Sequence, residues 1–417
     1  MKRLLTKTHN AAFWNTISGL INAGQSAVIL IFISRYLGQS AAGIFSIAYA
    51  LGNLFSTMGK YGVRNFQVTD VKEVFLFHEY LVFRIISTGF STLLLMGYLF
   101  MQRMTGAYTA EKLMAVLIIC LWKMIDPVED VYYGMYQQQD RLDIGALCYS
   151  LRLGISTLLF CVLVLLGVPI LLTSLAVFAV SALCAVLFIN STKNVFTLRR
   201  EGSSAAHVAE IAKQCFPLFI GTSLAIYVGN APRYMIDSYL RDETIQAAFS
   251  YIMMPAFVIM MINQFIYQPF IRGLGELWNE GRRKQFTGSV ARQYLICILI
   301  TVAVVIPGVL FGTQALSALY HVELSSFRKE FAVILCGGGA YALATYLSVP
   351  ITAIRSQKVI AAGYIFTSVL SLLAGKYFVA GKGIMGAAEL YLVLNLSLAV
   401  FFTVFLIYKV YLKHEKN

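Results

Sequence analysis

The 417-residue sequence predicts an all-α polytopic membrane protein, with about twelve transmembrane helices in two six-helix bundles. Three observations carry this reading. Apolar stretches of about twenty residues, the length a bilayer core requires, recur from end to end. Hydrophobic residues make up 59% of the chain and charged residues 13%, whereas soluble domains carry about a quarter charged. The two halves also echo each other. Tyr36-Leu37 then Phe45-Ser46 after the first span return as Tyr239-Leu240 then Phe249-Ser250 after the seventh, with one extra residue in the second turn. Parallel six-helix repeats of this kind occur in transporters.

The spans fall near 12–34, 43–63, 80–101, 113–134, 146–167, 170–192, 216–238, 247–270, 291–312, 331–352, 359–378 and 385–408, which places the bundles at 1–200 and 201–417. No loop is long enough to form a separate domain. The start, MKRLLTKTHN, is basic but leads into an apolar run without a small-residue cleavage site, so it reads as a retained first helix.

The net charge of +13 does not call for nucleic acid, because Lys and Arg of a membrane protein gather in cytoplasmic loops. With the N-terminus inside, twenty Lys and Arg lie in cytoplasmic segments and eight in outer ones, so both termini are expected in the cytoplasm. Arg84, Lys123, Arg152 and Arg233 fall at membrane depth, and Arg292 stands at a helix entrance.

The stretch from Cys215 to Arg272 organises the chain. It holds Pro217, Pro232, Pro255 and Pro269, four of eight prolines. Arg233 sits inside its first helix, with Asp237 one turn on and close enough to pair, and with Asn230 and Ile226 on the same face. An arginine in a spanning helix costs roughly 3 kcal/mol or more unless a partner or a wet cavity receives it. Prolines there free backbone groups that neighbouring helices or water must satisfy. Such features together suggest a broken, polar-lined transporter helix.

Other polar positions admit two readings each. Asn15, Ser18, Asn22 and Gln25 in the first helix, and Asn263, Gln264, Tyr267 and Gln268 in the eighth, either bond helix to helix or line a cavity. In the fourth helix Lys123, Asp126 and Asp130 share a face, with Glu129 beside it. Lys123 either pairs structurally with Asp126, or Asp126 takes up a proton or cation during transport. Glu129 and Asp130 are expected close to the cytoplasmic end and to water. Arg84 and Arg152 either snorkel to the interface or form a cationic wall open to the cytoplasm. Lys60 and Arg64 end the second helix on the inside.

Catalytic chemistry finds no footing. There is no GxxxxGK[ST] loop for ATP, the five histidines have no metal-ligand spacing, and no cofactor is expected. The seven cysteines lie mostly in apolar runs and read as small apolar residues. Gly337-Gly338-Gly339 inside the tenth helix reads as a site of close helix packing.

Four motifs carry a family resemblance: RYLGQSAAGIFSIAYALGNLF, KYGVRNFQVTD, YYGMYQQQDRLDIGA and NAPRYMIDSYL, in this order along the chain. They resemble the Wzx-like oligosaccharide flippases, in the polysaccharide-transporter branch of the multidrug/oligosaccharidyl-lipid/polysaccharide superfamily. The resemblance covers nearly the whole chain. It implies a MATE-like V of two bundles opening alternately to each side of a bacterial cytoplasmic membrane. It also implies a substrate of oligosaccharide linked to undecaprenyl diphosphate, moved from the inner to the outer leaflet. It leaves room for H+ or Na+ coupling and for glycan-assembly proteins as partners. The cavity in that superfamily is lined by the first, second, seventh and eighth helices, which brings Asn22, Gln25, Lys60, Arg64, Arg233 and Gln268 to it by resemblance. A diphosphate favours arginine in a water-filled cleft, and Tyr227, Tyr234 and Tyr267 suit sugars.

Three further functions compete, of which a channel or structural membrane protein is disfavoured by the twofold repeat and the charged helices. A MATE-like exporter of small cations would favour buried carboxylates over arginines. A membrane glycan polymerase or ligase would carry a sizeable outer loop with catalytic residues, and the outer loops here stay within about twenty residues. The Lys/Arg bias predicts that a reporter fused after Asn417 is active only in the cytoplasm; activity only outside the cell would reverse the topology.

Overall fold

The computed structural model describes residues 11–70, 74–192, 204–267 and 270–412. The chain divides into two compact units, Met1–Ile226 and Tyr227–Asn417, and the division falls inside a helix. Both units are all-helical among the described residues.

The first unit contains α1 (Ala11–Tyr36), α2 (Gln39–Lys60), short α3 (Val63–Thr69), α4 (Phe77–Met104), α5 (Ala110–Lys123), α6 (Ile125–Gln138), α7 (Leu142–Leu165), α8 (Ile170–Thr192) and the first part of α9 (Ala205–Tyr239). α1 packs on α7, while α2 packs on α4 and α5. Small polar residues draw α4 against α2: Ser87 Oγ donates to the Gly59 carbonyl at 2.7 Å, and Ser91 Oγ to that of Phe55 at 2.6 Å. Such bonds substitute for the hydrophobic drive that lipid does not supply between helices.

The expected fourth span is two helices. α5 and α6 have 14 residues each, and the break falls at Met124. Asp126-Pro127 explains the restart. Pro127 is the third residue of α6, where its missing N–H has no intrahelical partner to lose. Neither piece alone is long enough to cross a bilayer, but the two in line are.

α9 begins in the first unit because its early turns are anchored there. Ile211 and Cys215 pack among Val63, Tyr80, Phe83 and Val131. The Glu79 carboxylate accepts from Ser204 N–H at 2.8 Å and lies 2.9 Å from His207 Nδ1. Tyr61 stacks on Phe219 at 4.3 Å between centroids. Gly62 must be glycine twice over: its φ is 69°, and a Cβ would sit 2.6 Å from Leu218 Cβ.

The second unit contains the rest of α9, then α10 (Glu243–Tyr267), α11 (Ile271–Asn279), α12 (Arg283–Pro307), α13 (Thr313–Tyr320), α14 (Arg328–Ala353) and α15 (Gln357–Ile407). A wide turn at Gly308–Gly312 joins α12 to α13. α15 runs 51 residues but breaks at Gly383, at φ 59° and ψ −131°. The two parts are the eleventh and twelfth expected spans. With α5–α6 taken together, the described helices supply twelve spans, six ending by Thr192 and six from Ala205 onward.

The repeated motif has a structural counterpart. After α1, the N–H groups of Leu37 and Gly38 both donate to the Ile33 carbonyl, at 2.8 and 3.0 Å. After α9, those of Leu240 and Arg241 both donate to Ile236, at 2.9 and 3.2 Å. Gly38 and Arg241 each take positive φ, 88° and 53°, as this helix-ending motif requires. The next helix starts with Ala42 N–H on Gly38 O and Gln246 N–H on Asp242 O. Gly38 therefore does alone what Arg241 and Asp242 share, and this is the extra residue of the second turn.

The glycine triplet packs α14 on three sides. A Cβ on Gly337 would meet the Tyr391 ring of α15 at 2.5 Å, one on Gly338 would meet Ala256 Cβ of α10 at 2.7 Å, and one on Gly339 would strike Thr301 of α12. Gly338→Ala is expected to destabilise the protein by about 1–3 kcal/mol through overpacking. Gly381→Ala, with open space around it, serves as a control in thermal unfolding of the solubilised protein. Equal melting temperatures for the two variants would refute the packing role.

Candidate functional site

The first unit buries two groups of charges. In one, Arg152 of α7 is fully buried. Its Nε donates to Glu129 Oε2 at 2.7 Å, one Nη to Asp126 Oδ1, and the other to Ser181 Oγ of α8 at 2.9 Å. Lys123 Nζ holds the other Asp126 oxygen at 2.9 Å and lies 5.0 Å from the centroid of the Tyr49 ring. Two cations thus face two carboxylates. The break at Met124 sets Lys123 on the last turn of α5 and Asp126 on the first of α6, three residues apart. Gly52 of α2 makes room for the lysine stem: a Cβ there would lie 2.9 Å from Lys123 Cγ.

The second group centres on Asp130. Arg84 Nη2 donates to its Oδ2 at 2.9 Å and Nη1 to the Gly59 carbonyl at 3.1 Å. Arg64 Nη1 lies 3.5 Å from its Oδ1, and Nη2 donates to Gln137 at 3.0 Å. Lys60, half-buried at the end of α2, adds to the field at Asp126.

Several expectations change here. Arg84 and Arg152 neither snorkel nor face water; each is fully buried against a carboxylate. Glu129 is buried rather than solvated, because Arg152 draws it inward. Gln25 links three helices: it receives the Tyr49 hydroxyl at 3.1 Å and donates to Thr157 at 2.9 Å. Asn22 receives the Tyr149 hydroxyl at 3.0 Å. The contributions of Ser181, Tyr49, Tyr149 and the Gly59 carbonyl had no sequence signal, since they come from other helices and are ordinary residues of apolar spans.

The second unit holds its buried arginine differently. Arg233 is 7% exposed, with its guanidinium 5.7 Å from the Phe257 ring centroid. Nη1 donates to Asn230 Oδ1 at 2.9 Å, and Nε has no hydrogen-bond partner among the described residues. Among the described residues Arg233 forms no ion pair, so the expected pairing with Asp237 is replaced. Side chains on a helix lean toward its N-terminus, and Arg233 accordingly reaches back to Asn230 rather than forward. Asp237 is itself buried. Aromatic residues gather near: Tyr234 stacks on Tyr227 at 5.8 Å, and Tyr251 on Tyr320 at 4.3 Å. Gln268 lies outside the described residues. Asn22, Gln25, Lys60 and Arg64 thus belong to the first unit, and Asn230, Arg233 and Asp237 to the second.

Removing one partner from a buried ion pair costs about 3–5 kcal/mol, because it strands the other charge. Asp126→Asn is therefore expected to lower the melting temperature and the membrane abundance. Lys123→Met combined with Asp126→Asn leaves Arg152 with Glu129 and is expected to restore much of the loss. Normal stability of the single variant would refute the structural role of the pair.

No family model matches the chain, and a search of curated proteins finds no match. Solved structures do match. A multidrug resistance MATE family transporter of the MOP superfamily, inward-facing, superposes with TM-score 0.69 at 14% identity over 95% of this chain and 98% of that one. The lipid II flippase MurJ, in an inward closed conformation, gives 0.71 at 13% identity over 96% and 89%. A MOP superfamily transporter from Pyrococcus furiosus, with a binding pocket of reversed polarity, gives 0.63 at 15% identity over 95% and 94%. At these identities the likeness is one of fold: the chain has the all-helical fold of MOP superfamily transporters.

Proposed function

We propose that this protein is an alternating-access flippase that carries oligosaccharide linked to a polyprenyl diphosphate, from the cytoplasmic to the outer leaflet of a bacterial cytoplasmic membrane. The observation that carries the reading is Arg233. The buried arginines of the first unit are matched to carboxylates, whereas Arg233 keeps its charge among an amide and aromatic rings. A diphosphate would supply the bidentate anionic partner that its fork geometry favours. Tyr227 and Tyr234 offer ring faces and hydroxyls for sugars, and the polyprenyl tail stays in lipid. An inside-negative potential assists outward movement of an anion by about 2.3 kcal/mol per charge per 100 mV.

The same fold serves a multidrug transporter and a lipid flippase, and the sign of the unspent charge supports the second reading over the first. Small cations need a free buried carboxylate, whereas both oxygens of Asp126 are held by cations, Glu129 is paired with Arg152, and Asp130 with Arg84 and Arg64. That occupancy also favours a structural over an ion-coupling part for Asp126 and Lys123. Enzymatic chemistry forms no part of this reading; glycan-assembly proteins are its natural partners, upstream and downstream of the translocation step.

Arg233→Ala is expected to abolish surface glycan and to leave lipid-linked precursor on the cytoplasmic leaflet, scored by glycan accessibility in spheroplasts. Arg233→Lys is expected to recover part of the transport, since a point charge lacks the fork. A stable Arg233→Gln protein that exports glycan at the wild-type rate would remove Arg233 from the site.

A further inference from the structure

A second polar feature of the second unit lies outside these sites, between α11 and α12. α11 follows α10 at the membrane end that the loop charges assign to the cytoplasm. It is short and amphipathic, with Leu274 and Leu277 turned toward α12 and α14, and Glu276 and Glu280 on its polar side. Helices of this pattern lie along the membrane interface. Between α11 and α12 is a cavity of about 280 Å³, lined by Phe270, Gly273, Leu274 and Leu277 on one side and Ser289, Arg292 and Gln293 on the other.

Two lining residues are unspent. Gln293 is only 4% exposed, yet its side-chain amide makes no hydrogen bond among the described residues, and its Oε1 is fully enclosed. A buried amide without partners is disfavoured unless a ligand supplies them. Arg292 is exposed and has no ion-pair partner among the described residues. Two nearby arginines are engaged: Arg283 lies 3.4 Å from the Trp278 ring centroid and donates to the Trp278 carbonyl at 2.7 Å, and Arg282 pairs with Glu280 at 3.2 Å. Lys284 adds a further positive charge at the start of α12.

We propose that this cavity binds one anionic glycerophospholipid from the adjoining leaflet. The apolar wall of Phe270, Leu274 and Leu277 suits the first part of an acyl chain. Arg292 suits the phosphodiester. The Gln293 amide, both donor and acceptor, suits an ester carbonyl and a headgroup hydroxyl. The volume falls just below that of ligand pockets enclosing a whole small molecule, about 300–1,000 Å³, so the site grips the head and upper chain while the rest remains in the bilayer. A soluble phosphate ester would leave the apolar wall unused. The proposal is independent of the cargo assigned to Arg233.

The test uses the full-length protein in detergent, titrated with phosphatidylglycerol, phosphatidylcholine or glycerol phosphate, and read by native mass spectrometry and by melting temperature. Phosphatidylglycerol is expected to bind and to raise the melting temperature, and the other two are not. Arg292→Gln, on an exposed residue, should weaken phosphatidylglycerol binding about tenfold, the loss of one charge-assisted bond. Gly273→Phe places a ring where an added Cβ meets nothing within 4 Å, and should block binding while leaving the lipid-free melting temperature unchanged. Equal binding of phosphatidylcholine, or wild-type affinity in Arg292→Gln, would overturn the anionic assignment. Equal affinity for glycerol phosphate would overturn the lipid assignment in favour of a free phosphate ester.

Discussion

A charge taken out of water must be met by an opposite charge or by enough hydrogen bonds, and the first unit is arranged around that constraint. Arg152 reaches from α7 to Asp126 and Glu129 on α6 and to Ser181 on α8. Lys123 brings α5 to the same carboxylate, and its stem runs past Gly52 of α2. Arg84 joins α4 to α2 and α6 through Gly59 and Asp130. Removing any one of these charges strands another in an apolar interior, so the helices are tied in a fixed register. Hydrophobic contact alone would fix them less firmly, because lipid is as apolar as the helix surfaces.

The second unit meets its constraint by shape. Glycines 337 to 339 let α10, α12 and α15 approach α14 closely, and stacked tyrosines fill the space beside α9 and α10. Its buried arginine is left with an amide and an aromatic face. A structural arginine would be expected to hold a carboxylate, as those of the first unit do. The asymmetry between the units is therefore the physical basis for the proposal that Arg233 meets an anionic cargo, while Arg84 and Arg152 tie helices together.

The turns after α1 and α9 make the same hydrogen-bond pattern from different residues. Both close on an isoleucine carbonyl with the same pair of N–H donors. The first turn uses a glycine at positive φ, and the second uses an arginine followed by an extra aspartate. The hydrogen-bond pattern is kept because helix ends must satisfy their last carbonyls, and the side chains at those positions are free to vary.

The sequence by itself determined the elements that depend on local and one-dimensional properties. Twelve apolar runs of bilayer length, the repeat and its extra residue, and the close packing at the glycine triplet were all legible, because hydropathy and glycine act wherever the chain goes. It also located Arg84, Lys123, Asp126, Arg152 and Arg233 as charges needing an explanation. What only the tertiary structure decided was the partner of each. Glu129 turns inward to Arg152, Asp130 takes two arginines, and Arg233 takes Asn230 instead of Asp237. The break at Met124 and the placing of early α9 in the first unit were equally hidden. The reason is physical: membrane burial compels a charge to find a partner, but which partner depends on distances between helices far apart in sequence.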